Sequence, residues 1–384
     1  MKVAIVHEWL IDWAGSERVL EQILACFPNA DLFALVDFLP FELRHKLVGK
    51  HATTSFLQNK PFARTCLKYY LPWMPIAIEQ LDVSGYDLVI SSSHAVAKGI
   101  ITGPEQVHIS YIHSPMRYAW DLQHQYLNGR YGAGLRGLAL KWTLHYLRQW
   151  DLRTVNGVDH FIANSEFVAR RINKFYRRNA TVIYPPVDIE SFPLYESKQD
   201  FYLCAGRLEP YKRIDIAVKA FTHMPDKQLV VMGDGPELSS LKKMAASNIE
   251  FIGYQKPENW LNYLQKAKAL VFPGIEDFGI TPVEAQACGT PVIAFSCGGA
   301  LEIVSPLEAN EPTGVFFNEQ NHASLQIAIG LFEQKKHVIE AQVCRRNAER
   351  FTATSFKTSF QQFINQRLAM TRSARNSPFS EVDA

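Results

Sequence analysis

Glu276 and Glu284 stand with seven residues between them in the segment PGIEDFGITPVEAQACGTPVIA, residues 273–294. A glycine turn, Phe278-Gly279-Ile280, and the start of a helix lie between them. The first N–H groups of a helix have no partner within it and attract an anion. Carboxylates on either side can accept hydrogen bonds from hydroxyl groups on whatever carries that anion. A sugar nucleotide, with a diphosphate and a hydroxyl-rich sugar, meets both conditions. A local account also exists for Glu284. Thr281-Pro282-Val283-Glu284 fits a capping box, with Thr281 as N-cap, Pro282 at the first helical position, Glu284 at the third and Gly289 ending the helix. That account leaves Glu276, Asp277 and Gly279 without a structural role. An acidic loop repels phosphate, so backbone amides and nearby cations have to dominate there.

Candidate cations follow a strand earlier in the same half of the chain, in Ala205-Gly206-Arg207-Leu208-Glu209-Pro210-Tyr211-Lys212-Arg213. Arg207 offers a rigid fork for a diphosphate and Lys212 a compact point charge. A solvated basic turn ahead of a helix is the plain alternative. Gly233 and Gly235, in Met232-Gly233-Asp234-Gly235-Pro236, make a tight turn suited either to close packing or to ligand contact. Leu238 occupies the last glycine position of a dinucleotide fingerprint there, so that pattern is incomplete. Near the N-terminus, Gly15 in Ala14-Gly15-Ser16-Glu17-Arg18 lets a phosphate or an acceptor approach the backbone, unless Ser16 simply caps a helix. His113 ends a strand in Tyr111-Ile112-His113-Ser114-Pro115, where a histidine is either structural or aimed at a ligand. From Tyr118 to Trp150, Trp120, Trp142, Tyr146 and Trp150 interleave with Arg130, Arg136, Lys141 and Arg148, and Phe56 to Ile78 has a similar character. Such segments dock on anionic membranes or pack as helices with a solvated basic face.

The elements that must position these groups follow from pattern and length. A chain of 384 residues exceeds one ordinary core and implies two domains. A net charge of +2 argues against a nucleic-acid partner. Six scattered cysteines contain no Cys-x-x-Cys pair, which predicts buried thiols in a reducing compartment. The opening MKVAIVHEWL is not a secretion signal, and no apolar run is long enough to cross a bilayer, so a cytoplasmic protein is expected. Strands are expected at Lys2–His7, Asp87–Ser93, Val107–His113, His160–Asn164 and Thr181–Tyr184. After Pro185-Pro186 the series restarts with Phe201–Ala205, Gln228–Met232, Ile249–Ile252, Ala269–Phe272 and Pro291–Phe295. Helices are expected between strands, including Ser16–Phe27 and Glu166–Tyr176. Alternation of this kind implies α/β architecture with parallel sheets covered on both faces, in domains 1–185 and 186–350. Ligands of such sheets bind beyond the carboxyl ends of the strands.

Together these residues resemble the retaining glycosyltransferases of family 4, whose GT-B fold has two doubly wound Rossmann-like domains facing across a cleft. The resemblance runs through Gly15, His113, Gly206-Arg207-Leu208 with Lys212, Gly233-Asp234-Gly235, and Glu276 to Glu284, whose spacing matches the family's Glu-x7-Glu signature. His113 to Asp121, HSPMRYAWD, is similar to the bacterial mannosyltransferases that build O-antigens and exopolysaccharides. Ala14 departs from the pattern, since many members carry a second glycine there. The resemblance implies that Arg207 and Lys212 bind the donor diphosphate, Glu284 the ribose and Glu276 the sugar hydroxyls. Amides from Phe278 through Gly279 and Ile280 to Thr281 help hold sugar and phosphates. Gly233 and Gly235 line the donor site, and Tyr254 borders the base. His113 faces the transferred sugar, and Gly15 and Ser16 lie where acceptor or phosphate approaches.

It further implies a final helix, 351–370, returning to the first domain ahead of a tail at 371–384. The implied reaction moves mannose from GDP-mannose to a lipid-linked or oligosaccharide acceptor in cell-surface polysaccharide synthesis. Peripheral contact with an anionic membrane, at the inner face of the cytoplasmic membrane, is an expectation that rests on the aromatic-basic segments. No cofactor or metal is expected, because the Asp-x-Asp clamp of the other major glycosyltransferase fold is missing. A UDP- or ADP-sugar donor, or a non-catalytic nucleotide-sugar-binding scaffold, are the alternatives. An NAD-dependent oxidoreductase would need the glycine fingerprint that Leu238 breaks.

Overall fold

Short runs of aliphatic residues form the strands, and their continuous burial shows that both sheet faces are covered. The computed structural model describes residues 1–127 and 134–376. Strands β1 (Val3–His7), β2 (Asp31–Ala34), β3 (Thr53–Thr54), β4 (Leu88–Ser93), β5 (Val107–Ile112), β6 (His160–Ala163) and β7 (Ala180–Val182) form one sheet, in the order β3-β2-β1-β4-β5-β6-β7. Strands β8 (Phe201–Ala205), β9 (Gln228–Met232), β10 (Ile249–Gly253), β11 (Ala269–Phe272), β12 (Val292–Phe295) and β13 (Gly314–Phe317) form another, in the order β10-β9-β8-β11-β12-β13. Every pairing is parallel. β1, β4 and β5 are buried along their whole length, as a parallel sheet sandwiched by helices requires.

Each sheet reverses its winding once, between β1 and β4 in the first and between β8 and β11 in the second. Loops leaving those neighbours diverge, and the carboxyl ends there are where open α/β sheets bind ligands. The candidate residues fall on these loops. Arg207 and Lys212 follow β8, Glu276 follows β11, and Gly15 follows β1.

The chain divides into two compact units, Met1–Pro186 with the chain from Thr354 onward, and Val187–Ala353. Phe351 belongs to the second unit, where its ring meets Phe278 edge-on at 5.3 Å, so the return to the first unit begins slightly later than 351. The closing helix, Ala353–Asn376, continues past the expected end at 370. Residues 377–384 of the expected tail, and Arg130, lie outside the described residues.

The strands missing from the sequence reading are β2, β3 and β13. β2 is Asp-Leu-Phe-Ala, without a β-branched residue, and β13 opens on a glycine. Pairing with β1 and β12 makes them strands where intrinsic preference does not.

Phe356, Phe360, Phe363 and Ile364 of the closing helix sit in one buried cluster with Ile5, Leu20, Leu24 and Tyr111. Phe356 and Phe360 stack at 5.4 Å, and Phe356 also meets Tyr111 at 5.9 Å. The closing helix therefore helps to build the first sheet's core. Phe360→Ala should cost about 3–5 kcal/mol of stability by leaving a cavity. An unchanged denaturant midpoint would show that the helix is not part of that core.

Candidate functional site

In the second unit, backbone crowding sets the site. Gly206 N–H donates to the Met232 carbonyl at 3.0 Å, and Leu208 N–H to the Asp234 carbonyl at 2.9 Å, tying the loops after β8 and β9 together. Gly233 has φ +135°, and a Cβ on it would lie 1.8 Å from the Gly206 carbonyl oxygen. No larger residue fits, so Gly233 serves close backbone packing. Its N–H donates to Gly253 at 2.8 Å, which brings the loop carrying the exposed Tyr254 beside it. On the other side of the switch point, the Glu276 carbonyl accepts the Gly299 N–H at 2.9 Å. A Cβ on Gly298 would meet that same carbonyl oxygen at 2.6 Å.

This packing places Lys212 against Glu276. The ammonium donates to Glu276 Oε1 as an ion pair, with both side chains about one-fifth exposed. Glu276 thus has a structural partner that the sequence did not reveal. The cation that an acidic loop needs is Lys212 itself. Arg207 is exposed and its guanidinium has no partner among the described residues, so that fork is free to meet a ligand.

The helix after Glu276 does not begin as expected. Gly279, at φ +107°, is its N-cap, and the helix runs Ile280–Ala287. Thr281 and Pro282 lie inside it, so the expected capping box does not form. The N–H groups of Ile280 and Thr281 belong to a first turn that has no intrahelical acceptors. Glu284, 3 % exposed, accepts instead from the Trp260 indole N–H at 3.2 Å. Trp260 was not legible as its partner, because it comes from the separate helix Pro257–Lys266. Gly289, at φ +73°, closes the helix as expected.

The first unit assembles a second polar group. Its opening helix starts at Gly15, with Ala14 as N-cap, so Ser16 is not the cap. Glu17, at the third helical position, reaches back instead, and its Oε2 accepts from the N–H of the N-cap Ala14 at 2.9 Å and from the Ser16 hydroxyl at 3.0 Å. Its Oε1 meets His7 Nε2 at 3.2 Å. His7 Nδ1 lies 3.1 Å from Ser92 Oγ, and Ser92 Oγ lies 2.8 Å from His113 Nε2. A buried chain therefore links the start of the opening helix to the end of β5. Glu8, also fully buried, accepts from the N–H groups of His94, Ala95, Val96 and Ala97 and from the Ser93 hydroxyl. Neither glutamate was singled out from sequence. Their positions at the strand end and the helix start were the available signal.

Burial pushes the His113 imidazole well below its usual range, and His94 and His7 nearby push it further. His113 is consequently neutral near neutral pH and acts as a hydrogen-bonding group rather than a cation. Burial raises the Glu17 carboxyl, but the hydrogen bond and charge of His7 and the backbone amides outweigh it, leaving it at about 2. The HSPMRYAWD segment is pinned from outside: Arg171 donates to Ser114 Oγ at 2.9 Å and to Asp121 at 2.6 Å.

Residues 15–191 match the protein family described as Glycosyltransferase Family 4, and residues 186–351 match Glycosyl transferases group 1. A relative in Corynebacterium glutamicum, described as a GDP-mannose-dependent monoacylated alpha-(1-6)-phosphatidylinositol monomannoside mannosyltransferase, is 36 % identical over 206 residues, covering 45 % of this chain and 54 % of its own. A D-inositol 3-phosphate glycosyltransferase of Mycobacterium leprae is 30 % identical over 178 residues, covering 39 % and 41 %. The chain thus spans about half the length, or less, of the curated relatives it matches. Among solved structures, sucrose-phosphate synthase from Thermosynechococcus elongatus superposes with a TM-score of 0.71 at 17 % identity, over 96 % of this chain and 100 % of that one. Anabaena HepE in complex with UDP-glucose gives 0.69 at 16 % identity, over 95 % and 100 %.

The depressed Glu17 carboxyl has a measurable consequence. A group whose pKa falls on folding stabilises the fold above its unfolded value and loses that contribution as pH drops through the folded one. Stability from Glu17 should accordingly be present above pH 4.5 and disappear between pH 4.5 and about 2. Urea unfolding followed across that window should steepen for the wild type and flatten for Glu17→Gln. Identical acid limbs would contradict the His7–Glu17 contact.

Proposed function

We propose that this chain, which belongs to glycosyltransferase family 4 and has the GT-B fold, transfers a mannosyl group with retention from GDP-mannose to a lipid-linked or oligosaccharide acceptor. The single observation that carries the proposal is the pairing of Lys212 with Glu276 where the second sheet reverses its winding. A cation and a carboxylate held side by side there offer one group to a diphosphate and one to sugar hydroxyls. The choice of mannose leans on the name of the corynebacterial relative and on the HSPMRYAWD segment. Assembly of cell-surface polysaccharide is the setting that segment suggests.

In sugar transfer the anomeric carbon gains positive charge while the nucleoside diphosphate departs with negative charge. Donors fixed in advance around the departing group lower that barrier. Lys212, Arg207 and the first-turn amides of Ile280 and Thr281 fill this role without a resident metal. Glu276 turns from Lys212 to the sugar hydroxyls, and Glu284, held by Trp260, receives the ribose. Tyr254 borders the base. The leaving phosphate helps remove the acceptor's proton on the face it vacates, so no side chain serves as covalent nucleophile.

His113 contributes through the chain Glu17–His7–Ser92. Glu17 anchors His7 Nε2, His7 Nδ1 lies against the Ser92 hydroxyl, and Ser92 Oγ in turn meets His113 Nε2, which fixes that ring and leaves its Nδ1 for a substrate hydroxyl. Gly15 and Ser16 lie on the approach of acceptor or phosphate.

A second donor is specifically favoured by the fold neighbour that holds UDP-glucose. A thermal-shift panel of GDP, UDP and ADP separates the readings, because only a ligand that binds the folded state raises its melting temperature. The proposal expects GDP to stabilise most, and stabilisation by UDP alone would overturn the choice of donor. Arg207→Ala and Lys212→Ala should each lose about 2.7–4 kcal/mol of transition-state stabilisation, on the order of 10²–10³ in turnover, with the fold intact. Rates like wild type in both variants would refute the assignment. Donor binding without transfer to any acceptor would leave a scaffold instead.

A further inference from the structure

The helix Gly134–Thr154 carries apolar residues on two faces. Leu144, Leu147 and Trp150 point into the first unit's core. Leu135, Leu138, Trp142 and Tyr146, spaced i, i+3, i+7 and i+11, form a stripe on the opposite side and are 86, 54, 67 and 43 % exposed. A helix packed by one face is normally polar on the other, so this stripe is out of place in water. The helix cannot roll to hide it. Buried Asp151 holds the inner face through the Lys98 ammonium at 2.9 Å, the Trp120 indole at 2.8 Å and the Tyr176 hydroxyl at 2.9 Å.

A second exposed apolar set lies on the stretch 56–78, whose Leu67, Met74, Ala77 and Ile78 share the same core cluster. There Phe62, Tyr69, Trp73 and Ile76 are 77, 68, 55 and 40 % exposed. Charge distinguishes among possible covers. Residues 56–78 and 134–150 contain no Asp or Glu at all. Lys60, Arg64, Lys68, Arg136 and Lys141 of these two segments are all exposed, and the Lys68 ammonium lies over the Tyr69 ring. A second copy of the chain would set this basic rim against itself. Anionic lipid headgroups would neutralise it while their acyl boundary takes the Leu and Trp side chains, and Trp and Tyr favour that boundary.

We propose that the outward face of Gly134–Thr154, with the exposed aromatics of residues 56–78, is a docking surface for an anionic membrane. This surface shares no residue with the donor site and stands apart from the proposed reaction. It also replaces the packed helix with a solvated basic face, the other sequence-based reading. Among the described residues no helix is long and apolar enough to cross a bilayer, so the contact is interfacial.

Flotation with vesicles of phosphatidylcholine and phosphatidylglycerol, free of any glycan acceptor, tests it independently of activity. The full chain should float at low salt with anionic vesicles and not with pure phosphatidylcholine, and high salt should release it. Leu138→Ser with Trp142→Ser should lower the bound-to-free ratio about tenfold or more, with an unchanged melting temperature showing that the fold survives. Lys141→Glu should weaken binding to anionic vesicles as well. Brominated acyl chains should quench wild-type fluorescence more than that of Trp142→Phe. Wild type that stays with the soluble fraction, or variants that float like wild type, would overturn the proposal. So would a wild-type dimer, seen by light scattering, that the double variant disperses.

Discussion

The close approach of backbone at the carboxyl ends of the second sheet is the constraint on which the candidate site depends. Gly233 against Gly206, and Gly298 against Glu276, remove the space that side chains would otherwise claim. Strand-end loops from both sides of the winding reversal can then touch, and Lys212 meets Glu276 as a result. The two charges are neither fully solvated nor fully buried. Each has surrendered some water and regained it as an ion pair, so each is prepared for a ligand that offers a better partner. A sugar nucleotide offers one to both, with diphosphate for the ammonium and hydroxyls for the carboxylate.

The first unit meets the problem of buried charge in another way. Glu8 and Glu17 sit within ten residues of each other around the end of β1, and both are buried. Glu8 is satisfied by backbone amides, the geometry in which a carboxylate is held ionised despite desolvation. Glu17 is satisfied by His7 and the amide of Ala14. Leaving either acceptor unpaired in that environment would be costly, so the network fixes the ends of β1, β4 and β5 and with them His113. Position and polarity of that imidazole are thus consequences of fold stability as much as of chemistry.

Much of this was legible in the sequence. Continuous aliphatic runs marked ten strands, and Phe201–Ala205, Gln228–Met232 and Ala269–Phe272 appear where the runs place them. The loops after those runs named Arg207, Lys212 and Glu276 in advance. What escaped depended on partners distant in the chain. Thr281-Pro282-Val283-Glu284 reads locally as a cap, yet Gly279 takes that place and Trp260 claims the carboxylate. Glu276 looked unattached because its partner is 64 residues away. β2 and β13 needed neighbours to become strands. The stripe on Gly134–Thr154 was visible only as an aromatic and basic mixture, since which face points outward is decided by Asp151 and its buried partners.

Lys212 and Glu276, paired in the structure, are proposed to hold each other until a donor separates them. Calorimetric titration of GDP and GDP-mannose into wild type and Glu276→Gln tests it most directly. Removing the carboxylate frees Lys212 from its competitor and removes an acceptor for the sugar. The variant should therefore bind GDP as tightly as wild type or tighter, while its preference for GDP-mannose over GDP falls. Unchanged affinities for both ligands, or equal losses for both, would contradict it.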